Sequence, residues 1–222
     1  FLSNDYENGQ KVLVSIEKEL LSCEEFLISV AFITDGGVES LIGVLDELQK
    51  KGTPGKILTT DYDTFTQPKA LRRLLDLSNI ELRMYRTGKG DGFHTKGYIF
   101  ERSGLYRIII GSSNLTSAAL TANKEWNVKT VSTGDGELLR RIKDEWNQLW
   151  NSDSTVLAAD YIDEYETRYR LIEEQRKTAA RPKITSIEDY RLEPNAMQAR
   201  FVQSLNEIRA KGEKKALLIS AT

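Results

Sequence analysis

The stretch His94-Thr-Lys-Gly-Tyr-Ile-Phe-Glu101, followed after a short turn by Tyr106-Arg-Ile-Ile-Ile-Gly-Ser-Ser-Asn114, decides how this 222-residue chain is read. Successive side chains on a strand point to opposite faces, so His94 and Lys96 share a face that Tyr98 and Phe100 continue. Thr95, Gly97 and Ile99 point the other way. The second strand ends at Gly111-Ser-Ser-Asn114, and a helix-like stretch starts near Ser117. A small-residue turn between a strand and a helix offers backbone N–H groups and side-chain donors to an anionic oxygen. Two neighbouring strands then bring an imidazole, an ammonium and an amide together. That set suits phosphoryl transfer: an acid–base or nucleophilic group beside donors for non-bridging oxygens.

Outward from this hairpin, helical and strand patterns alternate. Val12, Ile16, Leu20 and Leu21 line one face of a helix expected over 7–21. Residues 26–32 form an apolar run typical of a buried strand, and 38–48 return to helical spacing. Lys51-Gly-Thr-Pro-Gly55 is a turn by composition. Strands are expected at 56–59, 81–86, 95–100, 107–110 and 126–131, with a helix over 68–77 opened by Pro68. This order predicts an α/β layered domain. Beyond Gly136 the patterns are helical, at 137–150 and 157–178, before a linker near Arg181-Pro182, a helix over 193–210 and a strand from 215 to 220. Trp146, Trp150 and the tyrosines from Tyr161 to Tyr169 read as packing residues.

Composition narrows the function. Apolar residues are 40% and charged residues 29%, which describes a folded globular chain. Lys and Arg number 31 against 33 Asp and Glu, so no whole-chain field selects a polyanion or a membrane. One cysteine, Cys23, excludes an internal disulfide framework, and one histidine, His94, excludes a site built on two imidazoles of a single chain. No apolar run reaches the ~20 residues of a membrane-spanning helix. No basic-then-apolar leader opens the sequence, which gives the cytoplasm as the expected compartment. The local balance differs: residues 69–107 hold nine basic and four acidic side chains, a net +5 that predicts attraction to a phosphate backbone.

His-x-Lys, an acid after four intervening residues, and a Gly-Ser-x-Asn turn together resemble the phospholipase D superfamily. Glu101 stands where that family usually has Asp. The resemblance implies a layered α/β/α domain with a mixed central sheet, followed by C-terminal helices. It also implies a metal-independent phosphodiesterase, here a nuclease for DNA. His94 would attack phosphorus to give a phosphohistidine; Lys96 and Asn114 would hold the non-bridging oxygens, with Ser112 and Ser113 at the phosphate-binding turn. Glu125 would orient the imidazole, and Glu101 and Gly111 would play supporting parts. Members that act alone carry the motif twice. This chain carries it once, so the resemblance implies a homodimer with one composite site, no metal and no membrane partner.

A second resemblance lies in Leu192-Glu-Pro-Asn-Ala-Met-Gln198 and Lys215-Ala-Leu-Leu-Ile-Ser-Ala-Thr222. Both look like the opening of a superfamily 2 helicase, ahead of its phosphate-binding loop. The expected organisation is a nuclease domain over 1–152, a helical extension and linker over 153–190, and the start of a helicase over 191–222. No cofactor is expected for the nuclease domain, and ATP only in the full-length parent, a restriction or repair enzyme. Two other functions compete: a silent dimerisation or DNA-binding module, and a phospholipase.

Overall fold

The computed structural model describes residues 1–5, 7–88, 92–180 and 196–212. One compact unit spans Phe1–Thr178 and a second Ala179–Thr222. In chain order the first unit contains α1 (Val12–Ser22), β1 (Glu25–Val30), α2 (Asp35–Lys51), β2 (Gly55–Thr60), α3 (Pro68–Leu75) and β3 (Ile80–Tyr85). It continues with β4 (Lys96–Arg102), β5 (Leu105–Gly111), α4 (Ser117–Thr121), β6 (Asn127–Thr133), α5 (Glu137–Trp150), β7 (Thr155–Leu157) and α6 (Ala158–Ala180). In the second unit α7 covers Ala196–Ala210.

Seven strands form one sheet in the order β6-β5-β4-β1-β2-β3-β7. β1, β2 and β3 run parallel, as the helical crossovers require, and every other pair is antiparallel. The mixed α/β/α architecture expected from the sequence is therefore present. On one face Phe26, Ile28, Val30, Ile57, Tyr98 and Phe100 pack against α1, α2, α3 and α6. On the other, Ile99, Ile108 and Leu58 meet α5 through Leu139, Trp146 and Trp150. The two tryptophans stack at 5.3 Å. Tyr98 and Ile99 thus go to opposite layers, as a strand alternation dictates.

Three differences from expectation have a clear physical cause. α1 begins at Val12 rather than near Glu7, because Asp5 accepts the N–H groups of Glu7 and Asn8 and pairs with Gln10, holding a turn there. β7 was not expected; three residues between helices carry too little pattern to register, yet Thr155–Leu157 extend the sheet beyond β3. As a result the segment from residue 153, assigned by sequence to a separate extension, enters the first unit. Tyr161, Ile162 and Tyr165 join its core, and Tyr165 donates to the Thr66 carbonyl at 2.6 Å. The linker at Arg181-Pro182, the strand over 215–220 and residues 89–91 lie outside the described residues.

Helix ends follow local chemistry. Thr34 caps α2 by accepting the Gly37 N–H at 3.2 Å, and Gly52 ends it at φ 71°, where a side chain would be strained. Cys23 follows α1 with 8% of its surface exposed, and burial pushes its thiol up to about 11. No helix among the described residues is long and apolar enough to cross a membrane.

Candidate active site

The sheet topology gathers one edge. β1 ends where β4 begins, with Val30 opposite Lys96, and β5 ends beside them, with Ile110 opposite Gly97. β6 starts at the same edge, Asn127 opposite Gly111. The segments leaving these strand ends carry His94, Lys96, Ser112, Asn114 and Glu125. Ligand sites of layered α/β folds collect at such an edge, where parallel strands end and loops diverge.

His94 lies just ahead of β4 and is exposed. Lys96 Nζ sits 2.8 Å from His94 Nδ1 and donates to the His94 carbonyl at 2.9 Å. Partial desolvation, then the Lys96 charge, lowers the His94 pKa below the ordinary 6.5, which favours the neutral ring. Burial also lowers the Lys96 pKa, and the charge of Glu125 opposes that shift. Asn114 accepts the Phe32 N–H through Oδ1 at 3.1 Å. Its Nδ2 group makes no hydrogen bond among the described residues, which leaves it available to an incoming oxygen. The loop is pinned by Leu115 to Phe32 at 3.1 Å and by Thr34 to Leu115 at 3.1 Å.

Four other candidate positions are placed differently. Glu125 is buried and accepts from Ser112 Oγ, so within one chain it holds the turn rather than the imidazole. Ser112 Oγ also accepts the Trp126 N–H at 3.0 Å. Ser113 is a correction: its side chain is fully buried, its Oγ accepts from Asn127 Nδ2 at 2.9 Å and its N–H faces Asn127 Oδ1 at 3.4 Å. Both of its polar groups are committed inside, out of reach of a phosphate. Glu101 stands near the far end of β4, roughly 17 Å along the strand from Lys96. There it accepts the Gly104 N–H at 2.8 Å and shapes the β4–β5 turn.

Gly111 has a geometric reason. A Cβ there would overlap the Trp126 carbonyl oxygen and the Asn127 backbone. Gly111→Ala is expected to cost about 2–3 kcal/mol of stability in urea unfolding, because backbone rather than a flexible side chain must move. The same displacement shifts Ser112 and Asn114.

The expected +5 field is largely neutralised. Lys69 and Arg73 pair with Asp35, Arg73 also with Glu39, Arg72 with Asp163 and Glu166, and Arg83 with Glu81. Arg107 and Lys129 share the buried Glu19. Counting charges along the chain missed these partners, most of them distant in sequence. Two neighbours of His94 also escaped the sequence: Phe32, edge-on to the imidazole at 5.7 Å, and a mostly apolar cavity of about 450 Å³. Ile99, Ile110, Ile142, Trp146 and Leu149 line it beside His94 and Lys96. Among the described residues no cluster of three His, Cys, Asp or Glu could hold a metal ion.

The family profile described as "Cardiolipin synthase, PLD-like domain" matches residues 17–150, more than half of the chain. The chain belongs to the phospholipase D-like family. No protein of curated function matches it in sequence. The phosphatidylserine synthase of Haemophilus influenzae Rd KW20 resembles this phospholipase D-like chain with a TM-score of 0.52 and 18% identity. That likeness covers 74% of this chain but 42% of the synthase. NucT from Helicobacter pylori resembles it with a TM-score of 0.51 and 16% identity, covering 66% of this chain and 90% of NucT. At these identities the likeness establishes the fold. The family match adds a phosphodiesterase or transferase type of domain.

Proposed function

We propose that this domain is a metal-independent nuclease that cleaves DNA through a phosphohistidine at a site completed by a second copy of the chain. One observation carries the reading: His94, Lys96 and Asn114 meet at one sheet edge, in a chain that has a single histidine. In the first step His94 Nε2 forms a bond to phosphorus as the bond to the leaving oxygen breaks. Lys96 and Asn114 bind the non-bridging oxygens. Drawing the ammonium onto phosphate frees Nδ1, which then takes up the ring proton from Nε2, and the bare Nε2 attacks. The partner's His94, entering the step as the imidazolium, protonates the leaving oxygen and becomes neutral. In the second step it takes a proton from water, which attacks phosphorus and breaks the P–N bond.

The surface beside the site supports pairing of copies. Trp126 and Val128 are 76% and 61% exposed, and Val128 lies across from the exposed Ile110. Apolar side chains grouped at a sheet edge mark an interaction surface. The helicase part of the proposal rests on the segments 192–198 and 215–222, most of which lie outside the described residues. The parent would then couple DNA cleavage to ATP-driven movement.

A second reading has one observation of its own. The apolar cavity beside His94 falls in the size range of small-molecule sites and suits an acyl chain better than a sugar–phosphate. Plasmid DNA and phosphatidylcholine vesicles, each incubated with the protein in EDTA, separate the two. The nuclease reading expects nicked or linear plasmid and intact lipid; the reverse pattern overturns it. The acidic limb of the rate profile provides a further check. With the His94 pKa lowered, the nucleophile stays unprotonated to more acid pH, so the acidic limb of kcat/KM lies below pH 6.5, while the proton needed on the partner's His94 sets a separate basic limb. An acidic limb above that value contradicts the assignment.

A further inference from the structure

An aromatic path leads from the catalytic edge across the ends of the parallel strands. His94 stands edge-on to Phe32 at 5.7 Å, and Phe32 stands edge-on to Phe65 at 5.0 Å. The centres of His94 and Phe65 are thus no more than about 11 Å apart. Phe65 ends the turn after β2 and is 48% exposed, although residues on both sides of it, Thr64 and Thr66, are buried. The turn is held firmly. Gln67 donates to the Ile33 carbonyl at 2.8 Å, Thr66 Oγ1 to the Ala31 carbonyl at 3.3 Å, and Asp63 and Thr64 sit at φ 48° and 51°. Non-glycine residues seldom take that conformation. The result is a large flat ring presented to solvent on a rigid support.

Arg176 of α6 lies over Phe65, its guanidinium carbon 5.0 Å from the ring centre, and donates to the Asp63 carbonyl at 2.6 Å. Next to this pair is a polar cavity of about 460 Å³, lined by Asp61, Asp63, Thr64, Thr87, Arg168 and Arg176. Its two cations face two carboxylates. Asp61 and Arg168 are already paired with each other, so an anion gains little there, whereas a neutral, flat group with donors and acceptors along its rim can use the Asp63 carboxylate, the Thr64 hydroxyl and Arg176. A nucleobase has that chemistry. It also outcompetes the exposed arginine for the ring, since base–aromatic stacking is stronger than a solvent-exposed cation–π contact.

We propose that Phe65, backed by Phe32 and flanked by the Asp61–Arg168 cavity, is a stacking platform for an unpaired nucleobase next to the scissile phosphate. The proposal rests on the nuclease reading above and extends it to substrate class: the strand crosses this edge single-stranded, since a paired base would keep its faces inside the duplex. Arg176 swings from the ring as the base arrives. Phe65 is a positioning residue and has no part in bond making.

Binding of a fluorescein-labelled single-stranded oligodeoxynucleotide, followed by anisotropy with the full chain in EDTA, tests it. Phe65→Ala is expected to weaken binding about tenfold, which equals about 1.4 kcal/mol, and Phe65→Trp to restore it. An oligonucleotide with abasic positions should bind the unaltered protein about tenfold more weakly, while Phe65→Ala binds both oligonucleotides alike. Equal affinity of Phe65→Ala and the unaltered protein overturns the platform, as does an abasic penalty that survives in Phe65→Ala. Because this comparison is internal to each protein, partial unfolding of a variant does not imitate it. Hydrolysis of bis(p-nitrophenyl) phosphate is measured alongside. Its absence in the unaltered protein overturns the phosphodiesterase reading, and the affinity ratios still decide the platform.

Discussion

On the proposed mechanism, replacing His94 with alanine is expected to lower phosphodiester hydrolysis by about 10⁴-fold or more, the scale on which a covalent nucleophile is missed. The folded state is retained, because the ring is exposed and its polar contacts are confined to Lys96. Circular dichroism and urea midpoints of the variant should match the parent. Mixing the two proteins one to one adds information that neither gives alone. If each site needs both imidazoles, subunit exchange leaves about a quarter of the pairs active, since only pairs of two intact chains work. Independent sites leave about half. A value of one half after exchange removes the composite centre.

The largest stability effect is expected at Asp61, where β2 ends. Its side chain is buried and accepts four hydrogen bonds: from Thr87 N–H and Oγ1 at 2.8 Å each, from Tyr161 at 2.9 Å and from Arg168 at 2.6 Å. These tie the ends of β2 and β3 to α6. Asp61→Asn removes the charge and turns an NH₂ group toward donors, stranding Arg168, whose Nε is already buried without a partner. We expect a loss of about 2–4 kcal/mol in urea unfolding, somewhat under the range for a fully buried pair because Arg168 is partly exposed. The pH dependence has a definite sign. Burial opposes the charge on Asp61, but the hydrogen bonds outweigh it and hold the carboxyl below its ordinary 3.8. The native state therefore binds this proton less readily than the unfolded chain. Its contribution is complete above pH 3.8 and disappears as pH falls through the lower, native value. The asparagine variant lacks that acid-dependent part, so the two stability curves converge at low pH.

What the sequence disclosed followed periodicity and local spacing. The strands from 26, 56, 81 and 107 were legible because buried strands write apolar runs or alternation over several residues. The hairpin carrying His94 and Lys96 was legible for the same reason, and its small-residue turn was read as a set of donors, whereas the close approach at Gly111 appears only once Trp126 and Asn127 are placed. What stayed hidden depends on contacts between distant residues. Ser113 looks identical to Ser112 in one dimension; only the arrival of Asn127 decides that one hydroxyl is interior. The basic excess over 69–107 looked like a field until Asp35, Glu39, Glu19 and Glu166 were brought alongside. β7 was too short to show, and with it the docking of Tyr161 and Tyr165. Phe32 and Phe65 were ordinary apolar letters until the sheet edge set them in line with the imidazole.

Cys23 has a practical consequence. With its thiol pushed up to about 11 by burial, little of it is present as the reactive thiolate at pH 7, and the sulfur is sheltered besides. The protein is thus nearly silent toward maleimides and nitroxide reagents as it stands. A single new cysteine at the exposed tip of the β4–β5 hairpin, Ser103→Cys, would accept a spin label far from the chemistry. Dipolar spectroscopy between two such labels would then report, as one distance, how two molecules of this chain face each other in solution.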